Sequence, residues 1–407
     1  MMLSSLLRAI VHEGTLVIID HDDRRYEFGD GQAPRIVLRF SDESTARSIL
    51  LNPELGTAEA YMDGKLTIEE GDLYGFLSLA SANMYRHSDY WLLKLQKHVA
   101  TWTRWLMQFN PVPRAKKNVA HHYDLSDTLY DLFLDAGRQY SCAYFAEPDY
   151  TLEQAQLAKK NHIASKLLLK DGLKVLDIGS GWGGLAFHIN EVSGAETVGI
   201  TLSEEQLKYA QDKAAKTGLA GKVQFRLQDY RAVDEKFDRI VSVGMFEHVG
   251  TPHYGEFFRK MASLLRDDGV ALLHTIGRYD GPGATDSFTR KYIFPGGYSP
   301  ALSEVMPHIE RAGLVVTDIE ILRLHYADTL REWRKRFAKN RDKVKAIYDE
   351  RFCRMWEFYL AGSECAFRYG GHCNFQIQIA KDQYAVPLTR DYIGEWEKRL
   401  DQRAAAE

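Results

Sequence analysis

The sequence predicts an α/β protein: a doubly wound sheet of seven strands with a helical lid, preceded by a smaller α+β domain. Three observations carry this. Short apolar runs alternate with helical patterns through the later two thirds of the chain. One run opens into a glycine-rich turn, KVLDIGSGWGGL, from Lys174 to Leu185. Three strand-like segments punctuated by glycine fall within the first forty residues. A length of 407 residues suits two or three domains.

Taken in order, segments 16–20, 25–28 and 36–40 read as strands, with Gly29, Asp30 and Gly31 supplying a turn. Segments 73–82 and 90–109 read as helices. In the second, Leu92, Leu95, Val99, Trp102, Leu106 and Phe109 recur at spacings of three and four. That seam suits packing on its own domain or on a second copy of the chain. From Arg86 to Lys117, seven Lys or Arg meet a single acid, Asp89, although the whole chain carries −4. Pro111 and Pro113 mark 106–122 as a basic linker. Basic residues near an anionic membrane contribute about 1 kcal/mol each, so a peripheral contact is one expectation and a solvated face the plainer one.

Strands are expected at 174–178, 197–201, 223–227, 239–243, 270–275, 315–322 and 375–380. A helix should start at Ser203, where Ser203 and Gln206 form a capping box and Glu204 and Glu205 suit the positive helix end. Another should start at Ser299, with Pro300 in its first turn and Leu302, Val305, Met306 and Ile309 as its buried stripe. In such a sheet, ligands bind at the carboxyl ends of the strands.

Gly179, Gly181 and Gly184 satisfy G-x-G-x-x-G. A dinucleotide site also expects an acid at the end of the second strand, to hold the ribose. Thr201 stands there instead. The acid is Asp177, inside the first strand and just ahead of the glycines. This favours a ligand with a cationic amino-acid end and no phosphate, and S-adenosylmethionine has that chemistry.

Further polar residues fall on the same sheet edge: Asp229 and Tyr230 after the third strand, Glu247 and His248 after the fourth, His274 closing the fifth, and Tyr326 beyond the sixth. Any one alone reads as a satisfied buried group, but their common placement points to a site. The stretch YSCAYF, at 140–145, would cross the pocket as a lid. Cys142 reads most simply as a small hydrophobe, and Tyr140, Tyr144 and Phe145 offer ring faces to a sulfonium.

The bulk properties exclude some classes. Mild acidity attracts no nucleic acid. Cys142, Cys353, Cys365 and Cys373 form no C-x-x-C pair, which suits a reduced, cytoplasmic setting. The start, MMLSSLLRAIVHEG, is a poor signal peptide, and no stretch reaches membrane-spanning length.

In AHHYDLS, YSCAYF, VLDIGSGWGG, TLSEEQ, QDYR, DRIVSVGMFEHVG, LLHTIG and KYIFPGGY, the chain resembles the cyclopropane-fatty-acyl-phospholipid synthases, the family that includes the mycolic acid cyclopropane synthases. The resemblance implies a class I methyltransferase (Rossmann-like) sheet over 123–407, with an acyl-chain tunnel. It implies a lipid-carrier-like, dimerising domain over 1–105, which includes EAYMDG. Tyr140, Ser141, Gly179, Gly181, Thr201, Leu202, Gln206, Asp229 and Tyr230 would surround S-adenosylmethionine, together with Asp177. Cys142, Glu247, His274, Ile276 (through its backbone) and Tyr326 would hold a bicarbonate ion acting as base. The implied reaction adds a methylene to the cis double bond of an unsaturated phospholipid, by a homodimer peripherally bound at the inner face of the membrane. The same site suits a methyl-branching relative, and a non-catalytic lipid-binding module is the rival from another class. Two departures stand out. Ser180 replaces the family's usual cysteine. GSECAFR puts Ser363 where the family often shows a cysteine, with Cys365 two residues later, which puts in doubt any mechanism resting on that cysteine.

Overall fold

The first apolar runs form a four-stranded sheet in the order β2-β1-β3-β4, from β1 (Thr15–Ile19), β2 (Arg25–Gly29), β3 (Arg35–Phe40) and β4 (Leu66–Glu70). The β1–β3 pair is parallel, and β1–β2 and β3–β4 are antiparallel. The computed structural model describes residues 3–87 and 127–404, so the expected helix over 90–109, the basic linker and AHHYDLS lie outside the described residues. Helices α1 (Ser4–Ile10), α2 (Glu43–Leu51), α3 (Pro53–Met62) and α4 (Leu73–His87) accompany the sheet. Leu6, Leu16, Ile18, Phe28, Leu38 and Phe76 form part of their shared core. Capping fixes the short helices: Asp42 accepts from Thr45 N at 3.0 Å, and Asn52 from Leu55 N at 3.2 Å with Pro53 at the first helical position.

The later runs form a second sheet. All seven expected strands occur: β5 (Lys174–Ile178), β6 (Glu196–Thr201), β7 (Val223–Leu227), β8 (Phe237–Val243), β9 (Leu265–Arg278), β10 (Val315–Leu322) and β11 (His372–Ala380). Their order is β10-β11-β9-β8-β5-β6-β7. The pairs β5–β6, β6–β7, β5–β8 and β8–β9 are parallel, and β10–β11 is antiparallel. The order reverses at β5, between β6 and β8, and the turns after β5 and β8 open a crevice there. Helices α5 (Asp127–Phe133), α6 (Leu152–Lys166), α7 (Gly184–Ser193), α8 (Glu204–Lys216), α9 (Tyr254–Leu264) and α10 (Leu302–Arg311) connect or flank the strands. The core on one side holds Leu176, Phe246, Phe257, Phe258 and Phe375, and on the other Ile163, Val175, Ile189 and Leu272.

Two helix starts differ from expectation. Ser203 caps α8 through Gln206 N at 3.3 Å, but the Gln206 side chain does not return to the cap. Its Oε1 accepts from Thr201 Oγ1 at 2.9 Å. The helix expected from Ser299 starts at Leu302, because Pro300 O is taken by Arg278 N at 3.0 Å, while Glu304 caps Ala301 N at 2.9 Å.

By contacts the chain forms two units. Within the described residues, the first gathers 3–87, 283–295 and 327–372; the second gathers 127–282, 296–326 and 373–404. A boundary at 105 leaves 283–295 and 327–372 with the later part of the chain. Their side chains explain why they belong to the first unit. Helices α11 (His325–Lys339), α12 (Arg341–Ile347) and α13 (Glu350–Tyr369) follow β10. Tyr61 OH donates to Glu357 at 3.2 Å, Ser78 Oγ to Tyr369 OH at 3.1 Å, and Arg334 lies 4.2 Å over the Tyr74 ring. A last helix, α14 (Asp391–Ala404), belongs to the second unit. Among the described residues, no helix is long and apolar enough to cross a membrane.

Candidate active site

A cavity of about 160 Å³ lies in the second unit, at the carboxyl ends of β5, β6 and β8. Its floor is Asp177 with the turn through Gly179 and Gly181. Thr201, Leu202 and Gln206 form the β6–α8 wall, Asp229 and Tyr230 the wall after β7, and Tyr140 with Ser141 the wall from the segment before α6. All ten residues expected around the cofactor therefore line one cavity. Gly179 has φ +87°, and a Cβ there would stand 2.8 Å from Met245 Cβ. Only glycine lets the turns after β5 and β8 come this close. Asp229 lines the wall, but its carboxylate is engaged by Arg231, through the backbone N at 2.9 Å and the guanidinium at 2.8 and 2.7 Å.

The Tyr140–Ser141 segment is held from behind by α6. Lys159 is fully buried, and its Nζ donates to Gln139 Oε1 at 2.7 Å and Ser141 Oγ at 2.9 Å. Gln156 Nε2 donates to Ser141 O at 3.0 Å. Burial lowers the Lys159 ammonium to about 8 and raises the Asp177 carboxyl to about 7, the latter against the pull of Lys159's charge. Burial thus favours the neutral form of Asp177, and a cation beside it would favour the carboxylate.

The second set of expected residues includes chain neighbours of residues that line this cavity. Glu247 sits on the turn Phe246–His248 after β8, and its Oε1 accepts from Ile276 N at 2.6 Å. Its Oε2 is buried with no hydrogen-bond partner among the described residues. Burial pushes its carboxyl up to about 7, against the smaller opposing pulls of the Ile276 N–H, its own backbone N–H and the Thr275 hydroxyl. His274 is on β9, and its backbone O accepts from Gly244 N at 2.9 Å. Its Nδ1 meets Gln376 Nε2 at 3.1 Å, and its Nε2 is buried without a partner among the described residues. Burial depresses the imidazole well below its usual value, so it is neutral. Cys142 is buried, with Sγ 3.3 Å from Ala143 O. Tyr326 is buried at the start of α11, beside His325, whose Nδ1 accepts from Phe145 N at 3.0 Å.

Glu247 and Ile276 are thus joined directly. His274 lies two residues before Ile276, and Cys142 and Tyr326 lie on segments tied by the Phe145–His325 bond. None of the five lines the 160 Å³ cavity, but Ser141, Met245 and His248, beside Cys142 and Glu247, do. Burial lowers the His248 imidazole to about 4, so it is neutral too. Cys365 belongs to the first unit and is buried, and its thiol is pushed up to about 12, which makes it a poor nucleophile.

Sequence reading missed Lys159, Gln139 and Gln376. A signal existed for the first. Gln156, Lys159, His162 and Lys166 are buried on α6 at spacings of three and four, a polar stripe where an apolar face is the rule.

A seven-stranded, mostly parallel sheet, an acid on its first strand and a glycine turn under a cavity at the switch point define a class I S-adenosylmethionine-dependent methyltransferase. Residues 112–377 match the family described as mycolic acid cyclopropane synthetase, and the chain belongs to that family. The cyclopropane-fatty-acyl-phospholipid synthase of Escherichia coli (strain K12) is 37% identical over 343 residues, covering 83% of this chain and 86% of that protein. A probable fatty acid methyltransferase of Pseudomonas putida is 42% identical over 285 residues, 67% of this chain and 72% of that protein. Among solved structures, mycolic acid cyclopropane synthase CmaA1 complexed with SAH and CTAB superimposes with a TM-score of 0.62 at 35% identity, covering 67% of this chain and 99% of that one.

Proposed function

We propose that this chain transfers a methylene, derived from the methyl of S-adenosylmethionine, to the cis double bond of unsaturated phospholipid acyl chains. The name of the Escherichia coli relative supports the reaction and the lipid class. The observation that carries the mechanism is the pair of buried, unpartnered polar atoms, Glu247 Oε2 and His274 Nε2.

Those atoms fit a small oxyanion. A neutral His274 presents N–H at Nε2, and a Glu247 carboxyl raised to about 7 presents O–H while protonated. Glu247, His274, Cys142 and Tyr326 would hold a bicarbonate, with the Ile276 backbone N–H acting through the Glu247 carboxyl that it fixes. Bound there, it would supply a proton acceptor in a place without bulk water. Tyr140, Ser141 and Asp177 orient the methyl donor. The alkene's π electrons attack the methyl carbon while the C–S electrons stay with sulfur, a step governed by alignment. The carbon left electron-deficient needs an anionic surrounding. A proton then leaves the transferred methyl, and the freed C–H electrons close the ring. Burial around Glu247 and His274 keeps water from capturing the cation.

A second reading keeps the same site and loses the proton from the chain, leaving a methylated unsaturated product. The Pseudomonas putida relative, a probable fatty acid methyltransferase, favours it. The test common to both is Glu247→Gln with vesicles of unsaturated phospholipid. Turnover should fall at least ~100-fold, the scale of lost acid–base help, with S-adenosylhomocysteine affinity within about twofold. Normal turnover by that variant would rule out the anion pocket.

A further inference from the structure

We infer that Gln376 is a positioning residue that, held by Lys166, fixes the proton of His274 on Nε2. The inference rests on His274 being a wall of the anion pocket and adds what gives that wall its polarity.

The chain of bonds leaves one arrangement of protons. Lys166 is completely buried on α6, and an ammonium can only donate. It donates to Glu320 Oε2 on β10, and to Gln376 Oε1 on β11 at 2.9 Å. Glu320 is shared with His162, whose Nε2 lies 2.6 Å from it and whose Nδ1 lies 2.6 Å from Glu397 on α14. The Gln376 amide therefore cannot be flipped, because an NH2 facing the ammonium would set donor against donor. With Oε1 committed to Lys166, Nε2 must donate to His274 Nδ1, which it meets at 3.1 Å. His274 Nδ1 is then an acceptor without a proton. In a neutral ring the proton sits on Nε2, the atom that has no partner among the described residues. The ring thus offers a donor to whatever occupies that space.

The other charged groups facing His274 do not alter this order. Lys159, His162 and Lys166 on α6 act against a charged ring, Glu320 on β10 acts for it, and burial outweighs them all. Glu247, on the turn after β8, is bonded to Ile276 N.

The test has two readouts. The first is long-range ¹H–¹⁵N correlation on histidine-labelled full-length protein at neutral pH, with the His274 signals assigned by their loss in His274→Gln. The expected pattern is a neutral ring protonated at Nε2; a ring protonated at Nδ1, or an imidazolium, overturns the inference. The second is kinetic. Gln376→Glu replaces the donor to Nδ1 by an acceptor, so Nδ1 takes a proton. Nε2 then keeps its own proton only while the ring is an imidazolium. Activity of this variant should decline as pH rises through a range where the wild type is level, with kcat falling about tenfold or more and KM for S-adenosylmethionine little changed. Gln376→Leu should lose activity without gaining that pH limb. Equal, pH-independent losses in both variants would reduce Gln376 to a packing role and overturn the inference. These outcomes separate from the catalytic reading, because the NMR pattern needs no turnover and Glu247→Gln tests the pocket independently.

Discussion

Asp177 shows how much one buried group decides. Its carboxyl is raised to about 7 because burial outweighs the attraction of Lys159. A ligand ammonium beside it would stabilise the carboxylate and lower that pKa. Below about 7 the free protein therefore holds the proton and the complex does not, so binding releases it. At roughly one pH unit below that value, about nine-tenths of empty sites are protonated. Calorimetric titration with S-adenosylmethionine in two buffers of different ionisation enthalpy should therefore show close to one proton released. Release should vanish well above pH 7 and in Asp177→Asn. Equal heats in both buffers below pH 7 would show that Asp177 is not the partner of the ammonium. Tyr326→Phe tests the other set of residues: it should lose most turnover with ligand affinity retained, read by the same titration and by product formation.

At the scale of elements, the close approach of the turns after β5 and β8 shapes the pocket. Gly179→Ala would put a Cβ 2.8 Å from Met245 Cβ on a backbone at positive φ. It should weaken S-adenosylhomocysteine binding tenfold or more, measured by calorimetry, while the far-UV spectrum stays unchanged. Unaltered affinity would mean that the two turns separate freely. The seven strands were legible because each carries apolar residues in a short run, as in KVLDI, or at alternate positions, as in VQFRL, and the residues at their ends inherited that clarity. The spacing of Asp177, Thr201, Asp229, Glu247 and His274 along the chain already puts them on one edge of the sheet. Two kinds of residue went unread, one without a signal and one with a signal that points the other way. Gln376 lies within a strand and acts sideways through the sheet, so no strand-end rule finds it. Lys159 and Lys166 sit on α6, where lysines ordinarily mark the solvated face. The Thr201–Gln206 bond was hidden for a similar reason: the same glutamine also completes a plausible capping box.

At the scale of the whole molecule, the first unit is stitched together from early and late chain. Helix α13 meets α3 and α4 through Tyr61–Glu357 and Ser78–Tyr369. Residues 283–295 join it through Tyr292 OH on Glu59 at 2.7 Å and Phe288 against Phe358 at 5.0 Å. No boundary drawn between early and late chain could reveal this, because 327–372 consists largely of amphipathic helices whose apolar faces could pack anywhere. A chain begun at residue 123 would uncover those faces. It should be markedly less soluble than the full chain and bind a hydrophobic dye, measured by soluble yield and dye fluorescence. Equal solubility would contradict the shared packing.

The most direct test of the proposed chemistry uses S-adenosylmethionine with a fully deuterated methyl, vesicles of cis-unsaturated phospholipid, and mass spectrometry with NMR of the product chains. The expected product keeps two of the three methyl deuterons and shows upfield ring signals, because the proton lost comes from the transferred methyl. A product that retains all three deuterons and shows no ring would contradict proton removal at that carbon.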